Sequence, residues 1–149
     1  MRAIAQIGHL ARRFFGSLSR RPPAASDVGW ALTQLLPAEA TLWQQMPVQD
    51  RRHSLVVARR FFERVDASSR AEVAGALLHD VGKAQSGLGT FARVAATIIG
   101  ARTKRFRQYH DHEALGLELL RQAGSDPETL ALLDGTSRAA SALRDADAV

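Results

Sequence analysis

The chain has 149 residues, of which 46% are hydrophobic and 6% aromatic, and its formal net charge is +5. A domain of this length buries about 70% of the surface of its unfolded chain, so it can hold a core without disulfides. The lack of cysteine excludes disulfides, thiolate zinc sites and a cysteine nucleophile, and it fits a reducing cytoplasm. No apolar run approaches the ~18 residues of a transmembrane helix. The positive charge suits phosphate-bearing partners, but without an RNA-binding signature or zinc finger no specific nucleic acid partner is expected.

The first 21 residues predict a basic amphipathic helix. Arginines surround an apolar stripe at helical spacing, and the stripe consists of Ile4, Ile7, Leu10, Phe14, Phe15 and Leu18. A signal peptide is not expected, because there is no continuous apolar region and no small-residue cleavage site. Two interpretations stay open. The helix either packs on the domain of a cytoplasmic protein, or it contacts an anionic membrane surface or a protein partner, which would make the protein peripheral at the membrane.

Start and stop signals predict further helices along the first half of the chain. Pro22 and Pro23 end the first helix. Ser26 or Asp27 is expected to cap a helix that continues through "DVGWALTQLL". Pro37 is expected at the first turn of the next helix, and a long helix follows Pro47.

The second half of the chain shows the same kind of signals. Ser69 and Glu72 match a capping box, and Gly82 is expected to stop the helix that they begin. Asp111 and Asp126 are expected to cap two later helices. The signals together predict about seven to nine helices, and no stretch alternates as a strand would. The fold class predicted from these patterns is all-α.

Four side chains on three predicted helices could bind a metal ion. His53 shares a helix face with apolar residues, which by itself is more typical of a core histidine. His79 and Asp80 are expected to end a helix, where neighbouring side chains can both reach one ion. Asp147 by itself resembles a solvated carboxylate at a helix end. Taken together, two imidazoles and two carboxylates suit a divalent ion such as Mn, Fe, Ni, Zn or Mg.

The blocks "RRHSLVVARRF", "ALLHDVGK" and "LRDADAV" resemble the His, His-Asp and Asp motifs of the HD-domain superfamily of metal-dependent phosphohydrolases. The resemblance covers roughly residues 50–149. It implies an HD-domain helical bundle over residues 50–149, preceded by a basic amphipathic helix and lead-in helices over residues 1–49.

The resemblance also implies roles for particular residues. His53, His79, Asp80 and Asp147 would be the metal ligands, and Asp80 would also orient the attacking water or accept its proton. Lys83 matches the lysine of the family's His-Asp-x-Gly-Lys block and would contact phosphate or help to position the attacking water.

A second motif concerns the histidine that follows the His-Asp pair in many members. The segment "HEALG" resembles their His-x-x-x-Gly motif, which favours His112 over His110 as a phosphate-binding or second-metal residue. Gly116 would let a neighbouring helix approach closely. The alternative is a histidine that only begins a helix. The sequence departs from the family at "LALLDGTSRAA", where many members carry a His-His pair, so a multi-metal site is not expected.

The resemblance implies a metal-dependent phosphohydrolase that acts on a nucleotide or a small phosphate ester. The alternative is a binding module, which keeps the fold for sensing a nucleotide or for docking to a membrane or partner through its N-terminal helix, with little or no turnover. The missing His-His pair and the basic first helix motivate the alternative. The expected partner in both cases is a phosphate-bearing small molecule.

Overall fold

The computed structural model describes residues 21–83 and 111–148, and these residues form helices joined by short turns. Within the described residues there are seven helices and no strands, which confirms the all-α fold class. None of the described helices is long and apolar enough to cross a membrane. The helices are α1 (Ala25–Gln34), α2 (Pro37–Gln45), α3 (Val48–Arg64), α4 (Arg70–Leu77), α5 (Asp111–Gln122), α6 (Pro127–Asp134) and α7 (Ala140–Asp147).

The predicted capping box at the start of α4 is confirmed. The Glu72 backbone N–H donates to Ser69 Oγ at 3.1 Å, and the Ser69 backbone N–H donates to Glu72 Oε2 at 2.9 Å. Each side chain therefore satisfies a backbone donor that the first helical turn leaves without a partner.

At two other predicted caps the expected side-chain hydrogen bond does not form. Helix α1 begins at Ala25 with Ala24 as its N-cap, and neither Ser26 nor Asp27 caps it. The carboxylate of Asp27 instead accepts a hydrogen bond from Arg59 on α3. Asp126 does stand at the N-cap of α6, but its side chain makes no capping hydrogen bond and pairs with Arg70. In each case a charged group on another helix is the stronger partner for the carboxylate.

The end of α4 differs from the prediction. The sequence suggested a helix that continues through Asp80 to Gly82, but α4 ends at Leu77 with Leu78 as its C-cap. The Leu78 backbone N–H donates to the carbonyls of both Ala74 and Gly75, so the chain leaves the helical path there. The residues that follow form turns, which carry the His-Asp pair away from the helix axis.

The helices enclose one apolar cluster to which the lead-in helices α1 and α2 also contribute. Ala31 and Trp43 are fully buried in the same cluster as Phe61 and Leu77. Trp43 also donates a hydrogen bond from Nε1 to Ser54 Oγ at 2.9 Å, which ties α2 to α3. The domain boundary at residue 49 stays a prediction, although burial of this kind joins both sides of it.

Helix α4 occupies a central position and brings the site residues together. It packs against α1, α3 and α6, while α7 packs against both α3 and α6. The contact between α4 and α6 is close at Gly75, where a Cβ atom would lie 2.9 Å from Leu132 Cδ2. This packing sets the C-terminal end of α4 beside the C-terminal end of α7.

Candidate metal centre

His53 lies on α3, with its ring directed at the C-terminal end of α7. The Nε2 atom of His53 is 2.8 Å from Asp147 Oδ1, and both side chains are about one third exposed, at 34% and 33%. The two residues are 94 positions apart in the chain. The packing of α7 on α3 therefore creates a pair that no local sequence pattern predicts.

His79 follows α4 by two positions and is almost completely buried, with 8% of its side chain exposed. Its Nδ1 atom lies 2.8 Å from the carbonyl oxygen of Ala76. A carbonyl can only accept, so Nδ1 carries the proton that is donated. In the neutral ring the lone pair then lies on Nε2.

The Nε2 atom of His79 is buried and has no hydrogen-bond partner among the described residues. It points towards two carboxylates at longer distances, 3.4 Å to Asp80 Oδ2 and 3.5 Å to Asp147 Oδ1. A buried polar atom without a partner is costly, and a bound ion is one way to satisfy it. The orientation fixed through Nδ1 is also the usual arrangement of a metal-binding histidine.

Asp80 occupies the turn that follows α4, with 17% of its side chain exposed. Its two carboxylate oxygens face different partners. Oδ2 faces His79, and Oδ1 lies 2.8 Å from Lys83 Nζ. The turn itself is held by backbone hydrogen bonds from Val81 to Leu78 and from Lys83 to Asp80. This turn, rather than a helix end, lets the neighbouring side chains of His79 and Asp80 converge.

Three of the four predicted ligands form a compact group. Each of His53, His79 and Asp147 offers one ligand atom, and these atoms all lie within 4.8 Å of one another. The two imidazole rings are 5.6 Å apart between centroids. Asp80 adjoins the group through His79. Imidazole nitrogen and carboxylate oxygen are ligands of divalent transition metals, so this donor set fits the metal that the sequence predicts.

The imidazoles and carboxylates of this group shift one another's pKa values. The hydrogen bond from His53, and then the nearby ring nitrogen of His79 at 3.5 Å, hold the pKa of Asp147 far below its usual range. For His79, burial alone would lower the pKa, but the interaction with Asp147 and the charge of Asp80 outweigh it and raise the pKa. A proton on the His79 imidazole thus helps to balance the neighbouring carboxylates, and a divalent ion would displace that proton on binding.

Of the two other predicted catalytic residues, the structure describes the side chain of Lys83 but not that of His112. Lys83 extends from the His-Asp turn with 56% of its side chain exposed, and its ammonium contacts Asp80. His112 lies in the first turn of α5, but its side chain is outside the described part, as is all of His110. Their roles stay predictions. Gly116 on α5 does permit close approach, because a Cβ atom there would lie 3.4 Å from the backbone nitrogen of Gly82.

Asp50 is a nearby carboxylate that the sequence reasoning missed. It is half-buried one helical turn before His53 on α3. Burial raises its pKa, and the negative charge of Asp80 raises it further. The signal was present in "QDRRH", because residues three apart share a helix face.

A cavity of about 390 Å³ opens beside the metal-ligand group. His79, Asp80, Lys83 and Asp147 form one part of its wall. Helices α5, α6 and α7 provide the remainder, including Glu113, Asp134 and Arg144, whose contribution to a pocket was not predicted. Its volume lies in the lower part of the range for small-molecule sites.

The fold and this site together define an all-α protein with a candidate His/Asp metal centre beside a cavity. The HD domain family model matches residues 52–145. The chain belongs to the HD-domain family, a superfamily of metal-dependent phosphohydrolases. The matched range contains His53, His79 and Asp80 but ends two residues before Asp147, so the contact of Asp147 with His53 comes from the structure alone. Searches among curated proteins and among solved structures found no significant match.

Proposed function

We propose that this protein hydrolyses a phosphate ester in a metal-dependent reaction, with a nucleotide or another small phosphate ester as the substrate. The buried His79 Nε2 atom carries the proposal, because it lacks a hydrogen-bond partner among the described residues and faces two carboxylates. His53 completes the ligand group, and the adjoining cavity provides room for a substrate. Membership of the HD-domain family supports the same reaction class.

In the proposed reaction, the oxygen of a water molecule forms a bond to phosphorus as the ester P–O bond breaks. The water loses a proton and the leaving oxygen gains one, which gives an alcohol and inorganic phosphate. A divalent ion held by His53, His79, Asp80 and Asp147 would supply Lewis acidity and lower the pKa of a bound water. Asp80 would orient that water or accept its proton, since one carboxylate oxygen faces His79 and the other is held by Lys83.

Two further groups would act on the phosphoryl oxygens. The ammonium of Lys83 stands at the cavity wall, where it would neutralise charge that develops on the phosphoryl group. His112 lies in the first turn of α5, a helix that also lines the cavity, and it is predicted to bind phosphate. The apolar side chains of the cavity would exclude water from the leaving group.

A second candidate function is nucleotide binding without turnover. The sequence that forms α6 has no histidine where many family members carry a His-His pair. The residues of α6 and its C-cap that line the cavity are leucines, Asp134 and Gly135. A module of this kind would bind its ligand in the same cavity but would release no phosphate.

The metal content of two matched variants tests the site directly. Asp147→Asn removes the carboxylate that contacts both histidines, while Asp145→Asn makes the same change on an exposed position of the same helix. Elemental analysis after incubation with Mn, Fe, Ni, Zn or Mg and removal of free ion should find near-stoichiometric metal in the wild type and in Asp145→Asn. Asp147→Asn should retain much less. Equal metal in all three proteins would refute the ligand assignment.

Phosphate release then separates the two candidate functions. The loaded wild type should release phosphate from at least one ester in a panel of nucleotides and small phosphate esters, and His79→Ala/Asp80→Ala should release none. Stoichiometric metal with tight ligand binding and no phosphate release would leave the binding module as the function.

A further inference from the structure

The cavity beside the metal-ligand group has walls of two kinds. Apolar side chains form much of its surface, and they are Leu78, Leu117, Leu132, Leu133, Ala140 and Leu143. Four charged side chains outside the predicted metal-ligand set also line it, namely Lys83, Glu113, Asp134 and Arg144. A substrate in this cavity would therefore meet both cations and carboxylates.

The cations and the carboxylates belong to different structural elements. Lys83 extends from the turn that carries His79 and Asp80, and Arg144 lies on α7, the helix of Asp147. Glu113 lies on α5 and Asp134 ends α6, and neither of these helices carries one of the four residues predicted to hold the metal ion. Among these four side chains, the two cations thus lie beside the predicted metal centre, and the two carboxylates lie on the other walls.

Arg144 is positioned to reach a ligand near the metal-ligand group. It precedes Asp147 by three residues on α7, so the two side chains share a helix face. Arg144 is exposed, lines the cavity and forms no ion pair with any carboxylate of the described residues. A guanidinium binds phosphate oxygens through two parallel hydrogen bonds, which an ammonium cannot do.

The carboxylate of Asp134 stays negative at neutral pH. Its Oδ1 atom accepts hydrogen bonds from the Thr136 backbone N–H at 2.9 Å and from Thr136 Oγ1 at 2.6 Å. These bonds lower the pKa of Asp134. Glu113 contributes a second exposed carboxyl group to the cavity. Both groups would accept hydrogen bonds from hydroxyls and would repel additional phosphate groups.

We propose that the cavity selects a phosphate monoester whose leaving group carries hydroxyls, with Arg144 as a second cationic contact to the phosphoryl oxygens. Glu113 and Asp134 face the leaving group and disfavour a longer phosphate chain. This inference rests on the proposed function because it assigns the substrate class of the same site. The volume of about 390 Å³ agrees with a small ester.

The first test measures the binding of inorganic phosphate to Mn²⁺-loaded protein by calorimetry. Arg144→Gln should weaken binding by about tenfold or more, since a hydrogen-bonded charge pair is lost. Arg144→Lys should recover part of the loss. Arg138→Gln is the matched control, because Arg138 is exposed and does not line the cavity, and it should bind as the wild type does. All variants should keep the same metal content.

Three results would overturn the role of Arg144. One is phosphate affinity of Arg144→Gln within twofold of the wild type. Another is a wild type that binds no phosphate at millimolar concentration. A loss shared equally by Arg144→Gln and Arg138→Gln would indicate a general effect of net charge and would also overturn the role.

The second test compares adenosine monophosphate and diphosphate at the same free Mn²⁺ concentration. The wild type should bind the monophosphate more tightly. Glu113→Gln should bind the diphosphate more tightly and so lower the ratio of monophosphate affinity to diphosphate affinity by about two- to fivefold, the range expected for an exposed charge interaction. Equal or tighter binding of the diphosphate by the wild type would overturn the proposed selectivity.

These tests separate the inference from the proposed function. Binding that depends on Arg144 in a protein that releases no phosphate would contradict hydrolysis and leave the cavity assignment intact. Phosphate release by a wild type whose affinity does not depend on Arg144 would support hydrolysis and refute the inference.

Discussion

The contact between α4 and α6 gives the sharpest stability prediction, through the substitution Gly75→Ala. A Cβ atom at Gly75 would lie 2.9 Å from Leu132 Cδ2 and 3.3 Å from the carbonyl oxygen of Thr129. Leu132 is 2% exposed, so its side chain has little room to move. Thr129 is also held, because its Oγ1 donates to the Ala71 carbonyl at 2.8 Å. The new methyl group would therefore overpack the interface.

The change in the free energy of unfolding caused by Gly75→Ala is the balance of two opposing effects. Replacing glycine by alanine inside a helix is favourable by about 1 kcal/mol. Overpacking a buried contact costs about 1–3 kcal/mol. We expect the second term to win at Gly75, because a backbone carbonyl and a buried leucine both oppose the methyl group. The free energy of unfolding should fall by up to about 2 kcal/mol.

Gly29→Ala provides the matched control. Gly29 is on α1, and a Cβ atom there would meet nothing within 4 Å. Only the helix term remains, so this substitution should raise the free energy of unfolding by up to about 1 kcal/mol. Urea unfolding of the wild type and both variants, followed by far-ultraviolet circular dichroism, measures the two effects. A Gly75→Ala variant that is as stable as Gly29→Ala would refute the packing argument.

Three more predictions concern the site and the N-terminus. The pKa of His79 is raised above its ordinary value of 6.5, so the protonated imidazole stabilises the folded state. This contribution is complete below pH 6.5 and is lost as the pH rises through the raised pKa. Urea unfolding of the metal-free protein should therefore show a lower free energy of unfolding at pH 8 than at pH 6. A saturating divalent ion should reverse this pH dependence, because the ion binds the deprotonated imidazole. Equal stability of the metal-free protein at both pH values would contradict the prediction. Lys83→Ala should keep the metal content and should lower phosphate release by about tenfold or more, with Lys83→Arg as the control that retains the charge. Loss of metal from Lys83→Ala would show that Lys83 supports the metal ligands instead. Deletion of residues 1–21, of which only Arg21 is described, should abolish flotation with anionic liposomes if the segment contacts membrane, and equal flotation of both proteins would contradict membrane contact by this segment.

Sequence reasoning worked best where the relevant interaction is local. The capping box of Ser69 and Glu72 spans three residues, and its hydrogen bonds form as predicted. It worked less well at the α1 N-terminus, where Asp27 pairs with Arg59 from another helix. A capping prediction considers only the backbone donors nearby, so it cannot weigh a partner 32 positions away.

The end of α4 shows the same limit within the site. The pattern "ALLHDVGK" indicated a helix through the His-Asp pair, but the helix ends at Leu77. Packing of α4 between α3 and α6 and the bifurcated hydrogen bond of Leu78 decide where the chain turns. That turn brings His79 Nε2 within 3.5 Å of Asp147, a distance that no sequence spacing could supply.

Helix signals and motif spacing are local properties, so the amino-acid sequence was sufficient to predict the helical class and the four candidate ligands, in the order His53, His79, Asp80 and Asp147. Tertiary packing established that His53 and Asp147 meet across 94 positions, that His79 Nε2 is buried towards two carboxylates, and that a cavity adjoins them. It also decided which charges line that cavity. The physical reason is that these features depend on the packing of α3, α4 and α7, which joins segments distant in the chain.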